Sequence, residues 1–172
     1  MNASKGLVIV FTGDGKGKTS AALGIAMRAA GHHKKTVIIQ FLKTGRRSGE
    51  QMVEIPLIEM HACGSGFFRE GDDARPHREA AEQGWEMARN LIFSGSADIV
   101  VLDEISHAVN FGFLSKSMVI ETLKQKNETI HIVLTGRDMP REIIDSADMV
   151  TEMKEIRHPY QLGKPAVEGI DY

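Results

Sequence analysis

Short apolar runs recur along the chain, and most are apolar at nearly every position rather than at every second one. This pattern is typical of strands that are buried on both faces of a parallel sheet. Four clear runs cover residues 6–11, 36–41, 98–102 and 130–134, and two weaker ones cover 55–60 and 149–153. The pattern therefore predicts a mostly parallel sheet of about five to six strands.

Between these runs, apolar residues recur at helical spacing. Residues 20–30 are rich in alanine and end at Gly31, where we expect a C′ glycine in the left-handed conformation. A helix that begins near residues 72–76 has one apolar face, formed by Ala81, Trp85, Ala88 and Ile92. Shorter helices are predicted over residues 115–126 and 140–146, and surface loops over 43–52 and 157–172.

The alternation of strands and helices predicts an α/β fold with helices on both faces of the sheet. A length of 172 residues fits one domain, 1–172, and we expect its C-terminal tail, 153–172, to lie near the active site. In such sheets, ligands bind at the carboxyl ends of the strands. Candidate functional residues are therefore sought where the apolar runs end.

Composition and charge exclude several classes of protein. The formal net charge of −2 gives no basic footprint for nucleic acid. No segment approaches the roughly 20 apolar residues that span a bilayer, and the N-terminus lacks the layout of a signal peptide, so we expect a cytoplasmic protein. Cys63 is the only cysteine and cannot form an internal disulfide. Histidines such as His107 show no metal-ligand spacing and are interpreted as structural or surface residues.

The turn between the first strand and the first helix carries the strongest motif. Glycines in such a turn allow successive backbone N–H groups to curl around a phosphate, and the helix N-terminus adds a favourable dipole. The motif predicts a phosphate-loop (P-loop) NTPase-like fold of the RecA-like type that binds ATP. A strict match would have glycine at position 12, where Thr12 stands, so this is a shifted variant. The predicted ATP-binding residues of the turn are Gly13, Asp14, Gly15, Lys16, Gly17, Lys18, Thr19 and Ser20.

Two acids follow the run that ends at Leu102, and they predict the second half of the site. One of Asp103 and Glu104 would hold Mg²⁺ together with Thr19, while the other would activate a nucleophile or add a second metal contact. Arg28 and Arg137 are candidates to bind phosphate oxygens, because a guanidinium group matches their geometry.

The residues alone leave the reaction open. The segment 135–138 lacks a guanine-reading motif, which argues against a GTPase. A small-molecule kinase remains possible, with Arg46 and Arg47 as an arginine lid, and so does an ATPase in which Glu104 orients water. A non-catalytic module that senses ATP is a further alternative. From composition and motifs, the prediction is therefore ATP and Mg²⁺ with an unspecified reaction.

A family resemblance narrows this choice. The sequence resembles the ATP:corrinoid adenosyltransferases of the CobA/CobO/BtuR type over nearly its whole length, and the shifted phosphate loop is itself a trait of that family. The resemblance rests on blocks in the same order and spacing, at residues 12–22, 40–43, 100–104, 135–137 and 169–172.

The resemblance implies a homodimer that transfers the 5′-deoxyadenosyl group of ATP to the Co(I) of a reduced corrinoid and releases tripolyphosphate. It implies that the triphosphate lies in the loop in the reverse sense, so that the 5′-carbon is exposed. Mg²⁺ would be the cofactor, ATP and reduced corrinoid the co-substrates, and an electron donor such as a flavoprotein a partner. We assign catalytic roles to Lys18, Arg137 and Glu104.

The resemblance also implies a set of corrinoid-binding residues, with one departure from the family pattern. The family's enterobacterial members carry Gly-Phe-Thr-Trp after the third strand, and its aromatic pair helps to displace the lower ligand of cobalt. This chain has Gly66, Phe67, Phe68 and Arg69: Phe67 is retained, arginine stands at the tryptophan position, and Phe68 is the candidate substitute. This departure keeps a non-catalytic corrinoid-carrying module as an alternative. The expected corrinoid-binding residues are Gln40, Lys43, Phe67, Phe68 and Arg69.

Overall fold

The computed structural model describes residues 5–45, 48–69 and 71–172. All strand pairs are parallel, and the strand order is β3-β2-β4-β5-β1-β6. The six strands are β1 (Val8–Thr12), β2 (Thr36–Gln40), β3 (Ile58–Ala62), β4 (Ile99–Asp103), β5 (His131–Thr135) and β6 (Met149–Glu152). The predicted α/β class and parallel sheet are confirmed.

The helices cover both faces of this sheet. A short 3₁₀ helix, Pro159–Leu162, lies in the C-terminal tail. Among the described residues, no helix is long and apolar enough to cross a membrane. The α-helices are α1 (Lys18–Ala30), α2 (Gly49–Met52), α3 (Ala74–Ser94), α4 (Ile105–Asn110), α5 (Lys116–Gln125) and α6 (Arg141–Ile144).

Two apolar cores explain why the strands are apolar at consecutive positions. Successive side chains of a strand point to opposite faces, so both sets must be buried when helices cover both faces. In β1, Val8 and Val10 pack on the side of α3, α4 and α5, while Ile9 and Phe11 pack on the side of α1.

The strand ends differ from the predicted ones in both directions, since β2 ends at Gln40 and β6 at Glu152, one residue early. β1, β4 and β5 each extend one residue beyond the apolar run, to Thr12, Asp103 and Thr135. These polar residues are at most 7% exposed, because they occupy the carboxyl edge beneath the loops. The hydropathy pattern locates the last apolar residue, whereas these three strands include the polar residue that follows it.

The end of α1 corrects one expectation. Gly31 was expected in the left-handed conformation, but its φ is −62° and its N–H donates to Met27 O within a continuing turn. The left-handed residue follows two positions later, at His33, with a φ of 57°. The helix α4, which begins two residues after β4 ends, was not predicted because its six residues make less than two turns.

Candidate active site

The carboxyl edge of the sheet brings the predicted phosphate loop and acids together. β5 lies between β1 and β4. Phe11 of β1 pairs with Thr135 of β5, and Leu102 of β4 pairs with Leu134, so the three strands end at the same level. The glycine-rich turn leaves β1, and Asp103 ends β4. The site is therefore built from the ends of adjacent central strands, as expected for this class of sheet.

The glycine-rich turn wraps around the amino group of Lys18. The Nζ atom of Lys18 donates to Gly13 O at 2.7 Å and to Gly15 O at 2.8 Å, and the residue is 6% exposed. Gly17, the N-cap of α1, has a φ of 108°, which favours glycine. Burial lowers the pKa of Lys18, and the charge of Glu104 partly opposes this shift.

The end of β6 supports the turn from outside. The N–H of Gly15 donates to Met153 O at 2.7 Å. A Cβ atom on Gly13 would lie 2.5 Å from Met153 O, and one on Gly15 would lie 2.7 Å from it. Glycine is therefore required at both positions by close approach of backbone, and at Gly13 also by its φ of 94°. The sequence alone gave no sign of Met153's role, since a backbone carbonyl has no motif.

Asp103 is the centre of a buried hydrogen-bond network. Its Oδ1 accepts from the hydroxyl groups of Thr19 and Thr135, each at 2.8 Å, and its Oδ2 lies 3.4 Å from Gln40 Nε2. The residue is 1% exposed, and burial raises the pKa of its carboxyl despite these hydrogen bonds. Thr19 and the acid expected to share Mg²⁺ with it are thus in direct contact, and the shared metal stays a prediction.

Glu104 follows with a left-handed backbone, at a φ of 60°. Its Oε2 is buried, lies 3.3 Å from His107 Nε2, and accepts no aligned hydrogen bond from the described residues. Burial acts to raise the pKa of Glu104, but the interaction with His107 and the charges of Lys18 and Arg137 outweigh it and lower the pKa. His107 thus helps to hold a charged carboxylate at the site.

The oxygen atoms at this edge suit Mg²⁺. Mg²⁺ prefers oxygen ligands, is usually held by one or two carboxylates, and completes its shell with water and substrate phosphates. Thr19 and Asp103 are already in contact, and Glu104 has a buried oxygen without an aligned donor. Over the described part of the chain, no cluster of three or more His, Cys, Asp or Glu forms a complete metal cage. These oxygen atoms fit a metal ion that is bound partly by the protein and partly by phosphate oxygens.

The two candidate arginines lie in different places. Arg137 is exposed and near enough to Lys18 and Glu104 for its charge to influence the pKa of both. Arg28 is exposed in the last turn of α1, nine residues after Thr19. That is about 14 Å along the helix axis at 1.5 Å per residue. A contact of Arg28 with ATP would therefore require the nucleotide to extend along α1, and it stays a prediction.

Lys16 is paired with the C-terminal tail. Its amino group forms an ion pair with Asp171, and Gly49 packs close to Tyr172. The tail therefore lies beside the glycine-rich turn and beside α2. The remaining predicted residues of the turn, Asp14 and Ser20, are exposed.

Gln40 lies beneath the site rather than on its surface. It is 1% exposed, and its Oε1 accepts from Gln51 Nε2 at 2.7 Å. Lys43 forms an ion pair with Glu50 and lies 3.3 Å from Ser48 Oγ. Both side chains thus anchor the segment that follows β2. Their predicted corrinoid contacts stay predictions, and Arg46 and Arg47, the candidate lid, lie outside the described residues.

The three residues predicted to bind the corrinoid after β3 have different environments. Phe67 is 78% exposed. The ring of Phe68 makes edge-on contacts, about 5 Å between centroids, with three other rings, those of His77, Phe111 and Phe113. Arg69 is exposed, and its N–H donates to Asp72 Oδ2 at 2.8 Å. Packing thus accounts for Phe68, whereas no contact in the described chain accounts for Phe67.

The six-stranded parallel sheet with helices on both faces and the glycine-rich turn after β1 define an α/β protein of phosphate-loop-like fold. A sequence profile described as ATP:corrinoid adenosyltransferase BtuR/CobO/CobP matches residues 4–172. The chain therefore belongs to the ATP:corrinoid adenosyltransferase family, which makes it a transferase.

Individual relatives agree with this assignment. The corrinoid adenosyltransferase of Escherichia coli K12 is 35% identical over 169 residues, which is 98% of this chain and 86% of the relative. Corrinoid adenosyltransferase CobA of Salmonella typhimurium LT2 is 36% identical, with the same coverage of both chains. The corrinoid adenosyltransferase of a Sinorhizobium species is 37% identical over 177 residues, which is 98% of this chain and 81% of the relative.

Proposed function

We propose that this chain transfers the 5′-deoxyadenosyl group of ATP to the Co(I) of a reduced corrinoid and releases tripolyphosphate. The observation that carries the proposal is the contact of Thr19 Oγ1 with Asp103 Oδ1 at 2.8 Å, beside a glycine-rich turn that wraps around Lys18. The ammonium group of Lys18 and the oxygen pair proposed for Mg²⁺ thus lie at the same edge of the sheet, at the N-terminus of α1. Such a set suits a highly charged triphosphate.

The chemistry needs little from the protein beyond position and charge. The electron pair of Co(I) forms the Co–C bond at the 5′-carbon, the bond from that carbon to the triphosphate oxygen breaks, and its electrons leave with tripolyphosphate. Because Co(I) is already a strong nucleophile, no general base or covalent residue is needed. Catalysis then consists of alignment and stabilisation of the leaving group.

The residues of the turn fit these tasks. We assign Lys16, Lys18 and Arg137 to the triphosphate oxygens, and Thr19, Asp103 and Glu104 to Mg²⁺. Bound Mg²⁺ would neutralise part of the charge that develops on the leaving group. Lys18 and Arg137 supply positive charge at the same edge, and their effect on the pKa of Glu104 supports their closeness to it.

The corrinoid face is proposed at the loop after β3. Phe67 presents an aromatic ring to solvent, which supports a role in contact with the corrinoid rather than in the core.

We also propose that the protein is a cytoplasmic homodimer and that an electron donor such as a flavoprotein supplies the reduced corrinoid. The resemblance of the sequence blocks to the family supports these points.

Formation of the Co–C bond tests the function. The chain is incubated with Mg²⁺, ATP and chemically reduced corrinoid, and the visible spectrum is recorded before and after illumination. We expect an alkylcorrinoid spectrum that illumination abolishes, because light breaks the Co–C bond to give a Co(II) corrinoid and a carbon radical. This product should be lost in Thr19→Ala and Glu104→Ala variants that keep the thermal stability of the parent chain. An active chain whose two variants turn over fully would refute the assigned metal site, and a parent chain without this product would refute the function.

A further inference from the structure

One buried hydroxyl group contacts both acids of the site. Thr135, the last residue of β5, is 0% exposed. Its Oγ1 donates to Asp103 Oδ1 at 2.8 Å and accepts from the backbone N–H of Glu104 at 2.9 Å. A threonine hydroxyl has one proton to donate and two lone pairs. The donor and one acceptor site of Thr135 are therefore used by Asp103, the last residue of β4, and by Glu104, which follows it.

These two hydrogen bonds have different consequences. The bond to Oδ1 fixes the rotation of the Asp103 carboxylate, which otherwise depends on Thr19 in the phosphate loop and on a long contact with Gln40. The bond from Glu104 N helps to hold that residue at a φ of 60°, which is unfavourable for any residue except glycine. One oxygen atom thus influences the side chain of one acid and the backbone of the next.

The position of Thr135 is itself fixed by the sheet. Thr135 pairs with Phe11 of β1 in the parallel ladder. The following Gly136 passes so close to Ser106 that an added Cβ would lie 2.0 Å from its Oγ. Thr135 therefore cannot shift without moving β1 or α4. By contrast, Thr19 belongs to a turn that must accommodate the nucleotide.

We propose that Thr135 is a positioning residue that orients Asp103 and Glu104 toward the Mg²⁺ of the bound triphosphate. It does not contact the nucleotide and acts through the two acids. Hydrogen bonds to metal-binding carboxylates of this kind are typically worth about 10–100-fold in metal affinity or activity. The proposal rests on the function proposed above as far as the identity of the metal–nucleotide complex is concerned.

The test compares isosteric substitutions at two buried threonines. Thr135→Val removes the hydroxyl and keeps the shape. Thr36→Val is the matched control, because Thr36 is also 0% exposed, lies at the opposite edge of the sheet, and its Oγ1 has no hydrogen-bond partner among the described residues. ATP affinity is measured by calorimetry over a series of Mg²⁺ concentrations without corrinoid, and adenosyl transfer is measured separately.

For Thr135→Val, we expect the Mg²⁺ concentration that gives half-maximal ATP binding to rise about 10-fold or more. The KM for corrinoid should stay unchanged, and Thr36→Val should match the parent chain. Equal Mg²⁺ dependence in the two valine variants would overturn the proposal. If Thr135→Val does not fold, Thr135→Ser and Thr135→Ala decide, because they differ only in the hydroxyl; equal Mg²⁺ dependence in that pair would also overturn it.

The binding measurement separates this proposal from the proposed function. A parent chain that binds ATP with Mg²⁺ but forms no Co–C bond would refute the proposed function. The comparison of Mg²⁺-dependent ATP binding in the threonine variants would still test the role of Thr135.

Discussion

Substitution of Gly15 by alanine tests how the end of β6 shapes the phosphate loop. The added methyl group would lie 2.7 Å from Met153 O and 2.9 Å from two further backbone carbons, where ordinary contact begins at 3.4 Å. Because these neighbours are backbone atoms, rotation of a side chain cannot relieve the overlap. The turn must move away from β6, and the hydrogen bond from Gly15 N to Met153 O is stretched or lost.

The size of the effect can be estimated in two steps. Loss of a backbone hydrogen bond costs about 0.5–1.5 kcal/mol, which is about 2–10-fold in affinity. A displacement of aligned groups by about 1 Å can cost up to about 100-fold in rate. We therefore expect Gly15→Ala to weaken ATP binding by about 10-fold and adenosyl transfer by more. Calorimetric titration with ATP and steady-state kinetics measure the two effects.

Gly24 provides the matched control. It lies in the middle of α1, is exposed, and a Cβ there would meet nothing within 4 Å. Gly24→Ala should leave ATP binding unchanged and stabilise the chain by about 0.5–1 kcal/mol, because alanine favours the helix. If Gly15→Ala binds ATP as tightly as Gly24→Ala, the inferred coupling between β6 and the loop is wrong.

Three further predictions concern pH, the tail and the aromatic loop. Burial and nearby positive charge lower the pKa of His131. As the pH falls, His131 therefore binds a proton at a higher pH in the unfolded chain than in the folded one. The free energy of unfolding should fall as the pH drops below about 6.5. Asp171→Asn removes the partner of Lys16 and should tighten tripolyphosphate binding about two- to fivefold. Phe67→Ala should impair adenosyl transfer and change the free energy of unfolding by less than about 0.5 kcal/mol. Phe68→Ala should lower the free energy of unfolding by about 1–3 kcal/mol.

Each of these predictions has a control. His131→Gln should flatten the pH dependence in chemical denaturation, and an unchanged slope would contradict the role of His131. Glu168→Gln makes the same charge change in an exposed part of the tail, so equal effects in both tail variants would point to net charge alone. For the aromatic pair, calorimetric ATP affinity should be unchanged in Phe67→Ala, and equal losses of ATP binding and transfer would count against a corrinoid contact.

The fold could be predicted from the sequence because the sheet is buried on both faces. Burial of both faces requires apolar residues at consecutive positions, as in Val37–Ile38–Ile39, and such runs are distinctive. Short or exposed elements gave weaker signals. β6 is exposed along its length and α4 is short, so neither imposes a strong hydrophobic pattern.

The site was only partly predictable. The glycine-rich turn and Asp103 follow recognisable patterns, because phosphate and metal binding restrict the residue types. The contacts of Thr135, Met153 and His107 depend on which strands are neighbours and on backbone atoms. Thr135 did offer a signal, since it is a polar residue at the end of an apolar run. From the sequence, His107 is interpreted only as a structural or surface residue, because the histidines show no metal-ligand spacing.

The identity of the phosphate product tests most directly whether the turn holds the triphosphate as a leaving group. Phosphorus NMR is recorded while the chain reacts with ATP, Mg²⁺ and reduced corrinoid. We predict intact tripolyphosphate, released in equal amount to the light-sensitive Co–C product. Formation of ADP, with or without free phosphate, would contradict the account and would indicate phosphoryl transfer at the same loop.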